Sequence, residues 1–117
     1  MKIQVNTDRH VEGSEALVQM VEAEVQSALE RFEDRLTRVE VHLSDENGEN
    51  DGGGADKRCL LEARPEGMQP VVVTETADNV EQALLSATQK MQNLLNSKFG
   101  RIDGRDADAT IRQNESI

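Results

Sequence analysis

Aromatic residues are nearly absent from this chain. Phe32 and Phe99 are the only two, and there is no Tyr or Trp. A core must therefore be built from Val, Leu, Ile, Ala and Met. Cysteine is almost as scarce: Cys59 stands alone, which excludes an intrachain disulfide and fits a small buried hydrophobe in a reducing compartment. No apolar run approaches the length of a membrane span or a signal-peptide core, so a cytoplasmic location without membrane contact is expected. Positive charge is in deficit as well. The net charge of -10 favours solubility and opposes non-specific attraction to nucleic acid or anionic membrane.

The usual signatures of catalysis and metal binding are also missing. No glycine-rich phosphate loop follows a strand and opens a helix, and the glycines at 52–54 are embedded in acids that would repel phosphate. No nucleophile sits in a Gly-flanked turn of the kind that exposes a catalytic serine. His10 and His42 have no Cys or second His at ligand spacing. Asp45, Asn47 and Glu49 share the oxygen spacing of a calcium loop, but Asn50 stands where the loop needs Gly and Asp56 where it needs Glu. The expectation is a non-enzymatic protein with no metal and no cofactor.

What is present is patterned. Over Ser14 to Leu36, Leu17, Val21, Val25, Ala28, Leu29 and Phe32 recur at three- and four-residue steps, an apolar stripe along a helix. Glu15, Gln19, Glu22, Gln26, Glu30 and Glu33 occupy the opposite side. Ser14 is a suitable N-cap, and Arg31 and Arg35 lie near the negative end of the helix dipole. Alternation marks strands at Lys2 to Asn6, at Arg38 to Ser44, where it is strict, and at Lys57 to Arg64, and Val71 to Thr76 is a β-branched strand. Asp45 to Asp56 is a loop rich in Asp, Glu, Asn and Gly. A second helix begins at Asp78 with Glu81 three residues on. Its stripe is Val80, Ala83, Leu84, Ala87, Met91, Leu94 and Leu95, and Gly100 is its natural stop.

The expected order is β-α-β-β-β-α over residues 1–100, followed by a disordered tail at 101–117. The strand–helix–strand start implies a right-handed crossover between parallel strands. Each strand has one apolar face and each helix one stripe. The economical solution is an α+β fold, a four-stranded mixed sheet with two helices packed on one face.

Basic residues gather loosely. Arg9 precedes the first helix, Arg31, Arg35 and Arg38 surround its end, and Lys90 and Lys98 lie on the second helix. Glu30, Glu33, Asp34, Glu40 and Glu62 interleave with the basic residues, as on a solvated mixed-charge surface.

Several stretches together resemble a known family. Arg9-His10-Val11-Glu12 leads into Ser14-Glu15-Ala16-Leu17. Phe32-Glu33-Asp34-Arg35-Leu36 looks like an aromatic-Asp-Arg-aliphatic helix end. Arg38-Val39-Glu40-Val41-His42-Leu43 looks like the second strand. Ala77-Asp78-Asn79, Val80, Ala83, Leu84 and Lys90-Met91 resemble the second helix. In order and spacing these resemble the ribosome hibernation-promoting factor family, which includes the ribosome-associated inhibitor and was once called sigma-54 modulation protein. This chain looks like a short form.

The resemblance implies the fold above and a translation inhibitor of the stress response. Such a factor binds the small ribosomal subunit, its 16S rRNA and proteins, between head and body. There it occupies the decoding region and silences idle ribosomes. Arg9, Arg35 and Lys90 match basic positions of the family; Arg31, Arg38 and Lys98 complete the RNA-binding candidates. The chain departs from the family where the first helix exposes acids, and where Asn93 and Ser97 fall near positions that are often basic. Each lost phosphate contact removes affinity, so the acidic surface weakens ribosome binding. An alternative keeps the fold and changes the partner: an acidic protein-binding domain that has lost or changed ribosome binding. A homodimer through an exposed strand edge is a further option.

Overall fold

The computed structural model runs β1 (Lys2–Thr7), α1 (Glu15–Leu29), a 3-10 segment (Glu30–Arg35), β2 (Leu36–Asp45), β3 (Lys57–Pro65), β4 (Val71–Ala77) and α2 (Val80–Glu115). It describes residues 1–8, 11, 13–45 and 57–100, and the backbone of 101–115. Arg9, His10 and most of the expected loop, residues 46–56, lie outside the described residues.

The sheet order is β1-β2-β3-β4. β1 and β2 are parallel, and the other two pairs are antiparallel. The expected α+β architecture, a four-stranded mixed sheet with two helices, is the one observed.

Register explains the core. Val5, Val41, Leu61 and Val73 form one row across all four strands, and Ile3, Val39, Ala63 and Val71 form the next. Side chains in such rows share a face because the strand repeat is two residues. Val39, Val41, Leu61 and Ala63 are fully buried. The helices cover this face with Val21, Val25 and Leu29 from α1, and with Leu84, Met91 and Leu95 from α2. Burying each large side chain contributes roughly 1.5–3 kcal/mol.

Ser14 caps α1 as expected, its Oγ accepting from the Leu17 amide at 3.1 Å. The helix does not run unbroken to Leu36. After Leu29 it tightens into the 3-10 segment. Three residues per turn put Leu29, Phe32 and Arg35 on one line, and both apolar members are buried. The Arg35 carbonyl accepts from the Glu66 amide at 2.9 Å, and Thr37 Oγ1 donates to the Arg64 carbonyl at 3.0 Å. These bonds tie the helix end to β3 and the turn after it.

Three details of α2 differ from expectation. Its cap is Asn79 rather than Asp78: Asn79 Oδ1 accepts from the Gln82 amide at 2.8 Å, and the Asn79 carbonyl receives the Ala83 amide. Leu94 is 40% exposed, because the helical repeat brings Met91, Leu95 and Phe99 onto the sheet and turns position 94 away. Thr88 fills the remaining inward place, its hydroxyl donating to the Leu85 carbonyl. Lastly, Gly100 does not stop the helix. The backbone stays helical to Glu115, so the division expected at residue 100 falls inside an element. A glycine in a helix interior costs about 1 kcal/mol relative to alanine, which weakens a helix without ending it.

Candidate nucleic-acid interface

The other face of the sheet carries its charges in rows. Lys2, Arg38 and Arg64 stand side by side across three strands, and Gln4, Glu40 and Glu62 form the row beside them. Like charges directly opposite each other are unfavourable in a sheet. Here they are relieved along the strands, since Arg38 Nε lies 2.8 Å from Glu40 Oε2 and Arg64 Nε 3.3 Å from Glu62 Oε2. Arg38 also donates to Gln4 Oε1, and His42 Nε2 donates to Glu40 Oε1 at 3.2 Å. The Glu40 carboxyl is held below the ordinary carboxylate range. The His42 hydrogen bond is the largest cause, and the Arg38 and Arg64 charges add to it against partial desolvation. Arg38 is thus on the open sheet face, bound into a ladder of ion pairs.

Arg31 and Arg35 are elsewhere, at the end of α1. The Arg31 guanidinium lies 4.9 Å from the Phe32 ring centre, and that of Arg35 lies 4.8 Å from the Phe99 ring centre. The two rings are 5.7 Å apart and tilted by 37°. Both arginines border a cleft of about 300 Å³ with Phe32, Phe99, Asn96 and Gly100. At Arg31 and Asn96 the cleft meets a groove of about 670 Å³ between the helices, lined also by Ser27, Gln92 and Asn93. Gln92 Nε2 bridges the helices there, donating to the Ala28 carbonyl at 2.7 Å.

Lys90 pairs with Glu75 of β4 at 3.1 Å. Lys98 is half-buried on α2, beside Phe99. Of the RNA-binding candidates among the described residues, Arg31 and Arg35 share one cleft. Arg38 is on the opposite sheet face, Lys90 faces an acid at the β4 edge, and Arg9 lies outside the described residues. Sequence reading did not find Phe99 and Asn96 as parts of the cleft. The scarcity of aromatics was the available signal, since both phenylalanines meet at this one place.

Among the described residues, no three His, Cys, Asp or Glu side chains are placed to hold a metal ion. No helix among them is long and apolar enough to cross a membrane.

Residues 4–111 match the family described as Sigma 54 modulation protein / S30EA ribosomal protein. The chain belongs to this family. The match begins within β1, takes in the other three strands and continues past Gly100 along α2, so it covers the cleft and both helices that border it. No curated protein sequence matches the chain. Solved structures that share the fold of this S30EA-family chain include the following two. The N-terminal domain of Protein Y from Thermus thermophilus is 20% identical, with a TM-score of 0.66 over 83% of this chain and 98% of that one. A ribosomal subunit interface protein from Coxiella burnetii is 16% identical, with a TM-score of 0.67 over 86% of this chain and 99% of that one.

Proposed function

We propose that this protein is a cytoplasmic, ribosome-associated translation factor of the hibernation type. It binds the small subunit, contacts 16S rRNA and inhibits by occupying the decoding region, without catalysis. The family match over residues 4–111 carries this reading. The names of the two similar structures, Protein Y and a ribosomal subunit interface protein, agree with it. Arg31 and Arg35 are the leading phosphate contacts, because they border one open cleft; Arg9, Arg38, Lys90 and Lys98 are secondary candidates. Co-sedimentation with 30S and 70S particles across a salt series tests the proposal. Association at low salt, declining as salt rises, is expected. No association at low salt would overturn it.

A second reading has its own support. Glu15, Glu22, Glu30 and Glu33 are exposed along α1 and its 3-10 extension, and Glu75 lies against Lys90. A helix face of this sign suits a basic protein better than RNA. Recovery of one defined basic protein from nuclease-treated lysate, free of ribosomal RNA, would favour this acidic protein-binding function.

A further inference from the structure

The chain has only two phenylalanines and no other aromatic residue, and both stand at one spot. Each lies under an arginine, Phe32 beneath Arg31 and Phe99 beneath Arg35. The rings are 6% exposed, so they do not themselves offer a platform for a nucleobase. Both arginines line the cleft beside the rings and are the exposed members of each pair.

A guanidinium stacked on a ring face is attracted by the ring quadrupole and loses rotamer freedom before any ligand arrives. That pre-ordering matters more here than on a basic protein. With a net charge of -10, and with Glu30, Glu33 and Asp34 in the same segment, the chain has little long-range attraction for a polyanion. Affinity must then come from short-range contacts whose geometry is already set. Two planar forks presenting N–H donors suit a phosphate oxyanion, which accepts paired hydrogen bonds from each. The 3-10 turn contributes by placing Phe32 and Arg35 on the same line. α2 contributes Phe99 and closes the cleft with Asn96.

We infer that Phe32 and Phe99 are positioning residues that hold Arg31 and Arg35 as a two-pronged clamp for a phosphate of the RNA backbone. This rests on the ribosome-binding reading and adds the mechanism by which a strongly acidic member of the family would keep a contact with RNA.

The test is 30S co-sedimentation at one low salt concentration, with thermal melting of each variant in parallel. Phe99→Leu keeps the site apolar and removes the ring. It should weaken binding by roughly two- to five-fold, the range of an exposed cation–π contact. Phe99→Trp should restore binding. In an Arg35→Ala background Phe99→Leu should cause no further loss, because the ring acts through Arg35. Arg35→Lys, a surface change that keeps the charge and removes the stacking plane, should weaken binding to a similar degree even if Phe99→Leu fails to fold. An equal loss from Phe99→Leu with and without Arg35 would overturn the inference, as would wild-type binding by Arg35→Lys. Either result would leave the ribosome reading intact if the wild-type chain co-sediments. Failure of the wild-type chain to co-sediment would remove both.

Discussion

Glu40 and Cys59 lie on opposite faces of the sheet, and their environments shift their ionisation in different ways. The Glu40 carboxylate is favoured first by the His42 hydrogen bond and then by its arginine neighbours, so its folded pKa is below the ordinary value of 4.5. A depressed carboxyl contributes stability above its unfolded pKa and loses it as pH falls through the folded one. Glu40→Gln should therefore melt below wild type at neutral pH. The two curves should converge on acidification below the folded pKa of Glu40. Parallel melting curves at every pH would show that the ladder does not stabilise through ionisation. Cys59 is fully buried, and desolvation pushes its thiol up to about 12. Thiolate is the reactive form, so Cys59 should resist a thiol reagent in the native protein and react fully in denaturant. Rapid labelling of the folded chain would contradict this burial.

At the scale of elements, the informative position is Gly100. It lies within the helical run of α2, and nothing stands within 4 Å of a Cβ added there. Alanine should fit and raise stability by about 0.5–1 kcal/mol through better helix propensity and a less flexible unfolded chain. Chemical denaturation of Gly100→Ala measures this. A loss of stability would mean that residue 100 needs the freedom of a helix stop, as its sequence context suggests. The cap at Asn79 makes a related point. Asp78 and Asn79 are both competent caps by residue type, and the choice between them fell to the position of the first helical carbonyl, which accepts from Ala83.

For the whole molecule, the distribution of charge matters more than its sum. Among the described residues, Arg38 lies on the open sheet face, Lys90 at the β4 edge, and Arg31 and Arg35 at the cleft at the end of α1. If the two guanidiniums clamp one phosphate and dominate RNA contact, log affinity against log salt should have a slope of about -0.7 to -0.9. A salt series of 30S co-sedimentation reads that slope directly. A much steeper value would mean that the other basic residues, Arg9 included, also meet phosphates. Among the described residues, the buried apolar side chains run from Val11 to Phe99. We therefore propose that residues 1–100 carry the fold, and that a chain truncated after Gly100 keeps the melting cooperativity of the full protein. A non-cooperative melt of the truncated chain would assign a structural role to the rest of α2.

Sequence by itself determined the local elements and the faces they bury. Alternation at Val39, Val41 and Leu43, and at Cys59, Leu61 and Ala63, specifies which side of each strand is apolar, because the strand period is two whatever it packs against. Stripes at Val21, Val25 and Leu29, and at Leu84, Met91 and Leu95, do the same for the helices. The candidate site was legible only in part. Arg31 and Arg35 are close in sequence, but which cations share a surface depends on packing between distant segments. Only the tertiary structure brings Phe99 of α2 against Phe32 and sets Arg35 above it. It also puts Arg38 on the far side of the sheet and Lys90 against Glu75. The helix at 15–29 and its 3-10 extension show both sides of this division. The pattern fixes the face they bury; the neighbours they meet across the fold set what their last two arginines can touch.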